Sequence, residues 1–241
     1  MNGRRPFRMM LVAAAVLLLA GCQLSGDNLP PPPVNPTTGL TGAPADGAGS
    51  PGAGSSVGGG LLHAGRGWTA TGIVGVFPPA GSCHLRFTPA GEPLPDPRCT
   101  PGAADQAVTQ QNLHTTVCRE GGYPRTVRPP RAVTDVAKEK LLAAYGISRS
   151  HTHEYELDHL LDLASGGSSA VQNLFPQPNV LKTGAGSAYV HNDKDRLEAY
   201  TFHALCAGKV TLAAVQQAMT SNWTTAVQSL GLPMIPAGYT G

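Results

Sequence analysis

The chain has 241 residues, with 17 Lys+Arg against 15 Asp+Glu and a formal net charge of +2. A balance so close to neutral excludes a protein that grips nucleic acid by overall basicity, so any such surface has to be local.

The N-terminus carries three signals in series. Arg4, Arg5 and Arg8 form a basic flank, Met9 to Ala20 is an apolar run, and Leu19-Ala20-Gly21-Cys22 is a small-residue box ending in cysteine. The run is too short to span a bilayer comfortably as a permanent helix. The pattern resembles a bacterial lipoprotein signal peptide over residues 1–21, cleaved before Cys22. Lipidation of Cys22 is then expected, since several acyl chains at about 0.8 kcal/mol per buried CH₂ hold a protein stably on a membrane. The expected location is the cell envelope, outside the cytoplasm. Gln23 after the cysteine, rather than Asp, resembles the rule for an outer-membrane destination. Cleavage removes three arginines and no acid, leaving 14 Lys+Arg against 15 Asp+Glu.

Residues 22–60 read as a linker of Pro, Gly, Ser, Ala, Thr and Asn without Lys or Arg, with a polyproline run at Pro30–Pro33. Such a composition cannot bury enough apolar area to offset its ordering entropy. Residues 61–100 form a lead-in, in which Trp68, Ile73, Val74, Val76 and Phe77 offer a short strand or two. Beyond Cys22, the four cysteines Cys83, Cys99, Cys118 and Cys206 fit two disulfides in an oxidising compartment, with three pairings open. The favoured pairing is Cys83–Cys99, closing a short Pro-rich segment, with Cys118–Cys206 stapling the domain's start to its last third. No CxxC spacing supports a zinc knuckle.

The main domain is expected over 101–230, with 231–241 as a tail. Val133 to Tyr145 reads as a helix, capped by Thr134 and stopped by Gly146. Tyr155 to Leu163 alternates as a strand, with Glu156 and Asp158 on one side and Tyr155 and Leu157 on the other. Gly166-Gly167 permits a sharp turn. Asn173-Leu174-Phe175 starts a second strand that Pro176 and Pro178 should end. Ser187 to Cys206 and Thr211 to Met219 read as helices.

The segment from Glu156 to Gly167, followed by Asn173-Leu174-Phe175-Pro176, places Asp-His, a glycine turn, an asparagine and then a polar helix in order. This layout resembles the HNH nuclease motif. The wider frame, Thr100-Pro-Gly-Ala103, Val127-Arg-Pro-Pro130, Lys194-Asp195, Glu198 and Cys206-Ala-Gly-Lys209, is similar to a family of bacterial HNH-like domains over roughly residues 99–225. The resemblance implies an α+β fold with a small ββα-metal unit and packed helices. It also implies an endonuclease that hydrolyses DNA or RNA phosphodiesters with low sequence specificity, using a divalent cation, with Mg²⁺ favoured over Mn²⁺ or Zn²⁺.

The residue types suit that chemistry. His159, with an ordinary pKa near 6.5, is placed to take a proton from water. Asp158 offers a hard oxygen to the cation, and Asn173 holds the loop that orients His159. From the helix, Asp195 is the expected second metal ligand and Lys194 a phosphate contact. His191 is the rival ligand, and 191, 194, 195 and 198 share a helical face that also neighbours Asn192 and Asp193.

Arg119, Arg125, Arg128, Arg131, Lys138, Lys140 and Arg149 outnumber the acids between 119 and 149 and can follow a phosphate backbone. Arg128, beside the stiffening Pro129-Pro130, is the favoured substrate contact. Two other readings stand beside the nuclease: an inactive HNH-like binding or structural lipoprotein, and a zinc-dependent hydrolase built from His151, His153 and His159. A monomer is expected.

Overall fold

A computed structural model of the chain describes residues 61–179 and 192–239. The signal segment, Cys22, the linker, His191 and the first residues of the expected 187–206 helix lie outside the described residues. The architecture is α+β: small two-stranded sheets with helices packed around them.

The lead-in is built into the main domain rather than standing apart from it. Its strands are β1 (Leu62–Ala64), β2 (Trp68–Thr69), β3 (Gly72–Ile73), β4 (Arg86–Phe87) and β5 (Pro93–Leu94). β1 pairs in parallel with β6 (Ala103–Asp105), Leu62 opposite Ala103. The Trp68 indole N–H donates to Val127 O at 2.6 Å, and Cys83 is buried in the main core. Two disulfides, Cys83–Cys99 and Cys118–Cys206, close loops of 16 and 88 residues.

Two helices flank the Val127-Arg128-Pro129-Pro130 segment: α1 (Pro124–Val127) and α2 (Arg131–Ala144). The helix expected from 133 starts two residues earlier, because Pro130 at φ −60° and ψ 150° occupies the N-cap position and lacks the N–H that helix starts leave unpaired anyway. Arg128 is extended, at φ −64° and ψ 132°, as a residue before proline must be.

The central hairpin is β7 (Tyr155–His159) against β8 (Leu174–Pro178), antiparallel, with Asp158 opposite Phe175 and His159 opposite Leu174. Pro176 does not end β8, which runs on to Pro178 as its last residue. The ladder's donors sit on the alternate row, flanked by Leu160 N donating to Asn173 O and Asn179 N donating to Glu154 O, so the prolines' missing N–H groups face away from the partner. β7 stops at His159 rather than running to Leu163, because Asn173 takes over the backbone of Leu161 with its side chain.

Helix α3 (Asp193–Cys206) begins at an Asn192 cap, α4 (Leu212–Asn222) at a Thr211 cap, and α5 (Ala226–Ser229) follows Trp223. One core joins Leu161 and Phe175 of the hairpin region to Leu205, Val215, Met219 and Trp223. Each such side chain contributes roughly 1.5–3 kcal/mol when fully buried, which anchors the hairpin against α3 and α4.

Candidate functional site

The turn between β7 and β8 is built from backbone held by one side chain. Asn173 is fully buried. Its Oδ1 accepts from Leu161 N at 2.9 Å and Ala103 N at 3.3 Å, and its Nδ2 donates to Leu161 O at 2.8 Å and Ser168 O at 2.7 Å. The donors and acceptor lone pairs of the amide are all used. The glycines make the crossing possible. Gly166 sits at φ 76°, and a Cβ on Gly167 would lie 1.8 Å from Leu161 O.

Strand alternation puts Glu156 and Asp158 on the face that meets the start of α3. Asn192 Nδ2 donates to Glu156 Oε1 at 2.7 Å. Lys194, 1% exposed, donates to Asp158 Oδ2 at 2.7 Å, to His159 O at 2.7 Å and to Glu198 Oε1. The three donors of an ammonium are thereby spent. Burial alone would push Lys194 down, but the Asp158 and Glu198 carboxylates outweigh it and hold the group charged. Burial pushes the Glu198 carboxyl up, with Lys194 opposing and Asp158 adding to the rise.

Lys194 therefore has no donor left for a substrate phosphate, which corrects the role expected of it. Asp195 lies one position round the helix from the Lys194–Glu198 stripe. Its Oδ2 accepts from Asn192 N at 2.9 Å and its own N–H donates to Asn192 Oδ1 at 3.0 Å, a capping box. Its carboxylate serves the helix start, and Glu198, not Asp195, is the acid that joins Asp158.

His159 goes elsewhere. It is 7% exposed, and its Nε2 lies 2.9 Å from Ser169 Oγ. Burial lowers its pKa to about 4, with Arg128 and Lys194 adding to the fall and Asp158 opposing it. The ordinary value near 6.5 does not apply, because burial penalises the charged imidazolium. His159 lines a cavity of about 410 Å³ with Arg128, Arg131 and Lys138 and with the acids Asp135 and Glu156, of which Asp135 pairs with Arg131 at 3.4 Å. Arg128 also borders a neighbouring cavity of about 660 Å³ that includes Glu198 and Arg196. Of the other basic residues of the 119–149 stretch, Arg149 pairs with Glu139, Lys140 stacks on Phe77, and Arg119 binds Thr126.

Among the described residues, a divalent cation does not fit this arrangement. Among the described residues there is no group of three or more His, Cys, Asp or Glu side chains that could hold a metal ion. Asp158 and Glu198 are bridged by an ammonium. A dication on Asp158 Oδ2 would stand within about 5 Å of Lys194 Nζ, and the repulsion is on the order of 6 kcal/mol at an effective dielectric of about 20.

The zinc site of His151, His153 and His159 is also not assembled. His151 Nδ1 pairs with Glu154 Oε1 at 2.8 Å and His153 is exposed. Both precede β7 while His159 ends it, roughly 13 Å along the strand at about 3.3 Å per residue, whereas zinc ligands stand about 2 Å from the metal.

Two participants carry little or no signal in the sequence pattern. Ser169, the hydrogen-bond partner of His159, gives none beyond its place after the glycine turn. Asp162 is buried with Oδ2 unpartnered among the described residues, its carboxyl raised by burial while Ser165 and Lys194 oppose the rise; its spacing to Ser165 is a readable cap. No family model, curated protein or solved structure matches the chain.

Proposed function

We propose that the described domain is an HNH-like hydrolase of nucleic-acid phosphodiesters with a ββα core formed by β7, β8 and α3, held at the cell envelope by a lipid on Cys22. One observation carries the reading: a buried, neutral histidine at the end of the hairpin lines a cavity in which three cations, Arg128, Arg131 and Lys138, stand against two acids, Asp135 and Glu156. Guanidinium and ammonium groups are the residues that hold phosphate oxygens, and Arg128 borders both this cavity and its larger neighbour.

The proposed chemistry uses both nitrogens of the imidazole. For His159 to act as base at Nδ1, its Nε2–H donates to Ser169 Oγ, which fixes the tautomer. Nδ1 takes a proton from water, and the water oxygen bonds to phosphorus. The bond from phosphorus to the leaving sugar oxygen breaks, and that oxygen takes a proton back from the imidazolium. Arg128, with Lys138 on the same cavity wall, is offered to the charge that grows on the phosphoryl oxygens, while Arg131 pairs with Asp135 at 3.4 Å. A histidine with a pKa of about 4 is a weak base, so these charges have to supply much of the acceleration.

Supercoiled plasmid and a structured RNA are incubated with the purified protein and with His159→Ala. The expected result is cleavage of at least one substrate by the wild type, reduced about 10²–10⁴-fold in the variant. Cleavage undiminished in a folded His159→Ala protein rejects the base assignment. No cleavage of either substrate favours the inactive binding module, for which the burial of His159 is the supporting observation.

A further inference from the structure

We infer that the Lys194 ammonium is the resident cation of this domain, filling the place between Asp158 and Glu198 that a divalent ion would otherwise take, and that it keeps such ions out. The inference deepens the phosphodiesterase reading and rests on it for its purpose, because it states how that site works without a metal.

Three observations carry it. Lys194 is 1% exposed, so its position is built into the fold and is not a surface pairing. It contacts Asp158 Oδ2, Glu198 Oε1 and the carbonyl of His159 together, which is the oxygen shell a hard cation would take: two carboxylates and a backbone oxygen. The side chains of Asp158 and Glu198 are 20% and 16% exposed, open enough for a small ion to reach them if the ammonium did not bind them first. The contact with His159 O also gives the triad a purpose. It pins the last residue of β7 and so fixes the ring that lines the cavity beside Arg128. Lys194 is a positioning residue on this account, acting through His159.

The test is a binding measurement that needs no substrate, so failure of the nuclease reading leaves it intact. Mn²⁺ is titrated by calorimetry and electron paramagnetic resonance into the full chain and into Lys194→Met. The wild type is expected to bind no stoichiometric Mn²⁺ up to millimolar concentration. Lys194→Met, which keeps the length and loses the charge, is expected to gain one site, lost again on adding Asp158→Asn. Stoichiometric binding by the wild type that disappears in Asp158→Asn overturns the inference. So does a folded Lys194→Met protein that gains no site, because then the lysine excludes nothing.

If Lys194→Met does not fold, nitrogen-15 spectra of the wild-type lysine side chains decide the matter. One ammonium signal with slowly exchanging protons, unmoved by excess Mg²⁺, is expected from a fully bonded buried lysine. Absence of any such signal, or its displacement by Mg²⁺, overturns the inference.

Discussion

Replacing Asn173 tests how much of the hairpin depends on one amide. Asn173→Ala removes four hydrogen bonds, three of 2.7–2.9 Å and one of 3.3 Å. Their partners are backbone groups of Leu161, Ser168 and Ala103 in a fully buried setting, and each abandoned buried group costs about 1–3 kcal/mol. Some relaxation or water entry will recover part of this, so a loss of about 3–5 kcal/mol is expected, a large share of a typical domain's 5–15 kcal/mol. Asn173→Asp sharpens the test. It retains the acceptor for Leu161 N but turns a carboxylate toward the carbonyls of Leu161 and Ser168, so it should destabilise at least as much as Ala. The assay is urea unfolding followed by the fluorescence of Trp68 and Trp223, with disulfides intact. A loss under about 1 kcal/mol for Ala, or an Asp variant as stable as wild type, refutes the claim that this side chain organises the turn.

His159 predicts a pH dependence of stability. Its pKa is near 6.5 unfolded and about 4 folded, so between those values the unfolded chain binds the extra proton. Stability should therefore fall as the pH drops from about 6.5 to about 4 and level off below, losing on the order of 3 kcal/mol, and His159→Gln should flatten this slope in urea midpoints measured across the range. Gly167→Ala should leave little soluble folded protein, because the added methyl carbon would sit 1.8 Å from the Leu161 carbonyl; a melting temperature within a few degrees of wild type would contradict the crossing described. Removing Cys118–Cys206, which closes 88 residues, should cost about 1.5 kcal/mol more than removing Cys83–Cys99, which closes 16, since the loop entropies are about 4.6 and 3.1 kcal/mol; equal losses in paired Cys→Ser variants would speak against a chain-entropy origin.

Much of the scaffold is legible in the sequence because it rests on local pattern. Alternation in Tyr155–His159, the glycines at 166 and 167 and the helix start at Thr211 each dictate a conformation within a few residues, whereas the cap at Asn192 is not read from a helix expected to begin at Ser187. Asn173 is legible as a loop-holding residue only through the resemblance to the HNH motif, which implies that its amide orients the loop. The illegible parts are tertiary. Helical spacing puts 194, 195 and 198 on one face, but only packing decides that 194 and 198 meet Asp158 while Asp195 turns back to cap its own helix. The i,i+4 spacing of Lys194 and Glu198 is an ion-pair signal in its own right, and it points to the pairing that the structure contains. The lowered pKa of His159 leaves no mark on the sequence, where the residue stands next to a charged neighbour and its burial does not show. Pro176 and Pro178 read as breakers in the sequence, because their tolerance depends on which row of the ladder they occupy.

The decisive experiment is the initial rate of cleavage of a fluorescently labelled single-stranded oligonucleotide, as DNA and as RNA, by the wild-type chain in excess EDTA and in excess Mg²⁺. A phosphodiesterase whose histidine is positioned by a buried ammonium should show equal rates in the two buffers. A rate that appears only with Mg²⁺ would mean that a metal, and not Lys194, is the working cation of the site.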